Sequence, residues 1–146
     1  MAGRIQQEIR QSKPMPLAVE AHLNVQRTAA SLREMVEEVT TTAGGLKQVE
    51  FNVLRILRGA GEAGATVEEI QQRVITPDAP LPGVLGTLAN RGLVDRAGQR
   101  RTITAQGLET LAAVSARVDE KLEERVGRLS PAEARTLIGL LERLRP

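Results

Sequence analysis

Residues 46–58 constrain the fold more than any other stretch. Val49, Val53, Ile56 and Leu57 line one side of a helix, and Phe51 and Leu54 widen that stripe. A helix apolar over so much of its circumference has to be enclosed by other elements. A helix from about Leu46 to Arg58 therefore belongs at the centre of the fold. Gly59, Gly61 and Gly64 end it, because glycine is a poor helix residue.

The flanking segments supply what encloses it. From Leu17 to about Thr42 there is no glycine or proline, and Val25, Ala29, Leu32, Val36 and Val39 recur at spacings of four and three. That spacing predicts a long helix with one apolar face, ended by Thr40–Thr42 and by Gly44 and Gly45. After the central helix, Thr66 and Glu69 form a capping box that starts a short helix with Val67, Ile70 and Val74 inward. Pro77 interrupts the linker at 75–79. Leu81, Val84, Leu85 and Leu88 then fall at i, i+3, i+4 and i+7, a helix with one buried face, and Gly92 stops it. Prolines at 80 and 82 fit a first turn, whose amides lack helical acceptors.

Residues 93–104 read as a hairpin with β-prone arms around Ala97-Gly98-Gln99. A second long helix begins near Ala105. Leu108, Leu111, Ser115, Val118, Leu122 and Leu129 keep a heptad-like spacing, with Arg125 in the remaining seat. Ser130-Pro131-Ala132-Glu133 caps a last helix, with Ala134, Leu137, Ile138, Leu141 and Leu144 on one face.

Composition narrows the function. The chain has 146 residues, no cysteine, one histidine (His22) and one aromatic residue (Phe51). Disulfides, thiolate catalysis and a His/Cys metal cluster are excluded, and no metal or cofactor is expected. Stacking on single-stranded nucleic acid has almost nothing to work with. No catalytic constellation emerges, so an enzyme is not expected. No segment is long and apolar enough to span a bilayer, and MAGRIQQEIRQSKP has no signal-peptide core, so a cytoplasmic location is expected. Net charge is only +2, yet Arg91, Arg96, Arg100 and Arg101 lie together with Asp95 as the lone acid among them. A local basic patch on a nearly neutral chain points to one anionic contact site.

A short helix, a turn, a second helix and a basic hairpin make a winged helix-turn-helix. A helix fits the major groove of B-form DNA, and arginines on a hairpin reach adjacent phosphates. The same order of elements also occurs in winged domains that bind only proteins. The outer helices carry longer apolar stripes than a small central domain needs, and such stripes want partners. Two chains related by a two-fold axis would bury them and set two winged domains side by side. Packing within one chain is the other way to cover them.

QVEFNVLRILRGAGEAG, RGLVDR, RRTITAQGLETL and LSPAEARTLIGLLERL resemble the MarR family of bacterial transcription regulators, over essentially the whole chain. The resemblance implies a mainly α fold: a winged helix-turn-helix with long N- and C-terminal helices forming a dimerisation region. The corresponding division is 1–45 for the arm and dimerisation helix, 46–104 for the winged domain and 105–146 for the C-terminal dimerisation helices. It implies a homodimer on a pseudo-palindromic operator in double-stranded DNA, usually a repressor. In many members a small aromatic effector weakens that binding.

Candidate DNA contacts are Gln72, Arg73, Pro82, Gly83, Thr87, Asn90, Arg91, Arg96, Gln99, Arg100 and Arg101. Arg101 has a second reading, turned toward Asp95 across the hairpin. Candidate dimer contacts are Val19, Leu23, Val118, Leu122, Val126, Leu137, Leu141 and Leu144. His22, on the first long helix, is the candidate effector contact. The family usually has polar or basic side chains where this chain has Pro82 and Gly83. It also usually has an aspartate, bracing the wing through a salt bridge, where this chain has Gln99. These departures leave an alternative: a winged-helix dimer that has lost operator binding and works through a protein partner or an effector.

Overall fold

The computed structural model describes residues 3–146. The elements are α1 (Arg4–Glu8), α2 (Leu17–Gly44), α3 (Gln48–Ala60), β1 (Ala65–Thr66), α4 (Val67–Arg73), α5 (Leu81–Asn90), β2 (Val94–Ala97), β3 (Arg100–Ile103), α6 (Ala105–Val126) and α7 (Pro131–Arg143). Two compact units divide the chain, one up to Val36 and one from Glu37 onward.

In the first unit the expected arm contains a short helix, α1. Its Ile5 is buried, and the Gln6 side-chain amide donates to the Lys13 carbonyl at 3.0 Å. The remainder is the exposed first part of α2, where Arg27 meets Glu8 at 3.7 Å.

The second unit is built around α3. Phe51, Val53, Leu54 and Leu57 are buried as expected, whereas Val49 and Ile56 are only half-buried. The buried arc instead takes in Glu50, whose carboxylate accepts the Lys47 amide at 2.8 Å and caps the helix. Glu37 accepts the next amide, Gln48, at 2.6 Å. Two carboxylates thus satisfy amides that no helical carbonyl can reach, at the end of α3 whose dipole favours negative charge.

α2 runs through Thr40–Thr42, where the sequence predicted its end, and stops only at Gly44. Thr40 is fully buried, and the hydroxyls of Thr40 and Thr42 donate back to the Glu37 and Glu38 carbonyls. Those bonds hold the threonines in the last turns despite their weak helix propensity.

The Thr66 capping box is present. The Thr66 hydroxyl accepts the Glu69 amide at 3.2 Å, and Glu69 Oε2 accepts the Thr66 amide at 3.1 Å. In α4 and α5, Ile70, Leu81, Val84, Leu85 and Leu88 are buried. The loop between them is held in its first half: the Ile75 amide donates to Asn52 Oδ1 at 3.0 Å, and the Gln71 amide group donates to the Pro77 carbonyl.

The hairpin of β2 and β3 forms with the expected arms, but the sheet has a third strand. β1 pairs antiparallel with β3, giving the order β1-β3-β2. At its base, Thr104 caps α6: its hydroxyl accepts the Gly107 amide at 2.9 Å and donates to the Gly92 carbonyl at 2.7 Å.

The α6 register differs from the sequence expectation. Gly107, Leu111, Val114 and Val118 are buried, while Leu108 is exposed and Ser115 half-buried. The reason is steric. A Cβ at Gly107 would fall on the Leu93 carbonyl oxygen, so the helix approaches the hairpin base through its bare glycine. The inward face runs along 107, 111, 114 and 118: Leu111 and Val118 are inward as the spacing predicts, while Gly107 and Val114 take the places of Leu108 and Ser115. Leu129 lies beyond the helix end, so the heptad spacing does not continue through it. α7 buries no residue within the chain; Leu137, Ile138 and Leu140 are exposed on it, and Leu144 is exposed at its C-cap.

Candidate nucleic-acid interface

α5 and the hairpin form the surface that the sequence assigned to recognition. α5 buries one face completely, which leaves Pro82, Gly83, Gly86, Thr87, Ala89 and Asn90 outward. Of these only Thr87 and Asn90 carry polar side chains. The Thr87 hydroxyl donates to the Gly83 carbonyl one turn earlier, at 3.0 Å. A Cβ at Gly83 or Gly86 would meet nothing within 4 Å, and neither glycine has a positive φ. The fold itself therefore does not require glycine at either position.

The basic residues separate into two groups. Arg91 is turned onto the end of α2: its guanidinium donates to the Gly44 carbonyl at 2.8 Å and the Gly45 carbonyl at 2.9 Å. It supplies two donors and a positive charge where a helix leaves carbonyls unsatisfied. Arg100 is also engaged. Its Nη1 lies 3.2 Å from the Gly64 carbonyl and 3.4 Å from Glu69 Oε2. These two arginines tie the recognition region to the rest of the unit.

Arg96 and Arg101 form the second group. They are direct partners across the hairpin, while Asp95 is paired with Thr102. The cross-strand contact between Arg101 and Asp95 is therefore not made: the register puts them on opposite faces of the sheet. Arg96 donates to the Gly98 carbonyl at 3.1 Å, within its own turn. Among the described residues neither Arg96 nor Arg101 meets a carboxylate. Like charges directly opposite are unfavourable in a sheet, and an anion bound between them relieves that repulsion.

The wing holds its position without an aspartate at Gln99. β1 supplies a second set of ladder bonds to β3, at Ala65 with Arg101 and Thr66 with Arg100. Arg100 closes onto the Gly64 carbonyl and Glu69 beside it. Gly64 has φ +67°, and a Cβ there would strike the Arg101 carbonyl oxygen, so only glycine permits this approach. None of the three features stood out in the sequence. The capping box marked Glu69 only as a helix start, and a two-residue strand has no alternation to detect.

Gln72, Arg73, Asn90 and Gln99 are exposed. Of the residues considered for a dimer, Val19, Val126, Leu137 and Leu144 are exposed, Leu144 by 71%. Leu23, Leu122 and Leu141 are half-buried, and Val118 lies in the core of the single chain at 3%. His22 is exposed on α2. Among the described residues no cluster of His, Cys, Asp or Glu can hold a metal ion, and no helix is long and apolar enough to cross a membrane.

No protein-family model and no curated protein matches the chain. Solved structures do. A MarR family protein of Mycobacterium tuberculosis, in complex with DNA, is 28% identical over 91% of this chain and all of its own, with a TM-score of 0.68. A MarR family transcriptional regulator of Streptomyces coelicolor matches at TM-score 0.78 and 20% identity, over 88% of this chain and 92% of its own. One from Silicibacter pomeroyi matches at TM-score 0.73 and 19% identity, over 99% of this chain and all of its own. The central helix, the α4–α5 pair, the short wing and the long flanking helices agree with these matches: the chain has a winged helix-turn-helix fold similar to that of these MarR family proteins.

Proposed function

We propose that the chain is a homodimeric DNA-binding transcription regulator, acting as a repressor at an operator with two half-sites. The observation that carries the reading is the pair Arg96, exposed, and Arg101, half-buried, directly opposite one another on a wing beside α5 and, among the described residues, with no carboxylate between them. Two cations held together without a carboxylate suit a phosphate backbone. The similar M. tuberculosis protein solved with DNA supports the same partner. In this reading Arg96 and Arg101 contact the backbone, with Gln72, Arg73, Asn90 and Gln99 around them. Arg91 and Arg100 position the α5–wing surface.

Dimerisation draws support from α7. A helix of 13 residues that buries nothing within its own chain has little to stabilise it alone. Its exposed leucines, with Val126 of α6, are a surface a second copy would cover, and Val19 of the first unit is exposed as well. The functional division is 1–45 and 105–146 for assembly and 46–104 for DNA. Control by a small aromatic effector, with His22 as a contact, completes the reading and rests on the family resemblance.

The test is fluorescence anisotropy of the purified protein against its own upstream region and a scrambled duplex, at several salt concentrations. Tighter binding to the upstream duplex, with affinity falling steeply as salt rises, is expected. Equal affinity for both duplexes would contradict specific regulation. No binding at low salt would leave the protein-partner alternative.

A further inference from the structure

The α5 surface has an unusual chemical balance. Its outward face presents Pro82, two glycines and Ala89, and it has a single hydroxyl, whose hydrogen is committed to the Gly83 carbonyl at 3.0 Å. With its hydroxyl hydrogen given to its own helix, Thr87 has no donor left for a partner and offers its methyl and the acceptor side of Oγ1. Asn90 stands at the last position of the helix, whereas base edges are read mainly from the N-terminal part of a recognition helix.

Gly83 and Gly86 point the same way. Each glycine inside a helix costs about 1 kcal/mol relative to alanine. Neither backbone conformation nor packing within the chain calls for glycine at these positions. Their absent side chains let the helix come closer to whatever lies against it, and bring the Thr87 methyl within reach of that surface.

In the major groove adenine, guanine and cytosine present hydrogen-bonding groups, while thymine adds an apolar one, its C5 methyl. A face whose N-terminal and central part has no free donor gains least from the acceptors of guanine and adenine, and gains an apolar contact only from thymine. Resting on the DNA-binding reading above, we propose that α5 recognises thymine in each half-site through contact between the Thr87 methyl and the thymine C5 methyl.

The experiment uses the full-length protein and duplexes that it selects from a random pool. In a selected duplex each thymine is replaced in turn, symmetrically in both half-sites, by deoxyuridine, which differs only by the missing methyl. One thymine position should weaken binding by about fourfold per half-site, as expected for losing one buried methyl. Two variants then separate the groups on Thr87, both at an exposed site where folding is readily confirmed by circular dichroism. Thr87→Val keeps the methyl and should keep the deoxyuridine effect. Thr87→Ser keeps the hydroxyl and should abolish it. A deoxyuridine effect that survives Thr87→Ser would show that another group meets the thymine methyl, and would overturn the inference. Selective binding with no deoxyuridine effect at any thymine would overturn it too, while leaving DNA recognition intact. Failure to enrich any duplex would overturn the DNA-binding reading itself, and this inference with it.

Discussion

Arginines that lie close in sequence have different partners here. Arg91 reaches 46 residues back to the Gly45 carbonyl, and Arg100 reaches 36 residues back to the Gly64 carbonyl. Contacts over such separations leave no periodic trace, so the sequence marks the basic cluster without sorting it. The sorting predicts opposite signatures. Arg91→Ala removes two donors from the end of α2 and should lower stability by about 1 kcal/mol, read by urea denaturation. It should leave the salt dependence of DNA binding unchanged. Arg101→Ala should do the reverse, reducing the salt slope by about 1 for each chain with little loss of stability. Equal salt slopes for the wild-type and Arg101→Ala proteins would rule out the wing contact.

At the scale of elements, the winged helix-turn-helix was legible because each part has its own local signal. Thr66–Glu69 and Ser130–Glu133 are capping boxes in the structure as in the sequence. The spacing of Leu81, Val84, Leu85 and Leu88 gives the buried face of α5 directly. The inward face of α6 was legible at Leu111 and Val118 but not at Gly107 and Val114, which take the places of Leu108 and Ser115 because the helix approaches Leu93 through Gly107. The wing's support was not legible either, since it depends on a two-residue strand and on the bare backbone of Gly64.

Gly64→Ala tests that support. It adds a methyl group at a positive φ and against the Arg101 carbonyl. A loss of about 1–3 kcal/mol is expected in thermal or urea denaturation, with faster amide exchange in β3. Unchanged exchange would show that β1 does not hold the wing. Thr104→Ala should cost about 1 kcal/mol through the lost cap of α6, measured in the same way.

For the whole molecule, the helix faces left open point to a second copy of the chain. Leu137 is exposed on a helix that buries nothing of its own, and Leu144 is exposed at its C-cap. Leu137→Glu with Leu144→Glu should shift the protein toward monomer in sedimentation velocity, and weaken DNA binding by removing the second half-site contact. A dimer that persists in the double variant would place the interface elsewhere. The sequence revealed these stripes by their spacing, but not which apolar positions the single chain already covers. Val118, for example, is buried inside the protomer, where only a folded chain could put it.

The central claim is that two winged domains, joined as a dimer, read duplex DNA together. Hydroxyl-radical footprinting on the protein's own upstream region tests it most directly. Two protected patches are expected, related by a two-fold axis and centred about one helical turn, roughly 10 base pairs, apart. A single patch, or protection spread evenly along the duplex, would contradict it.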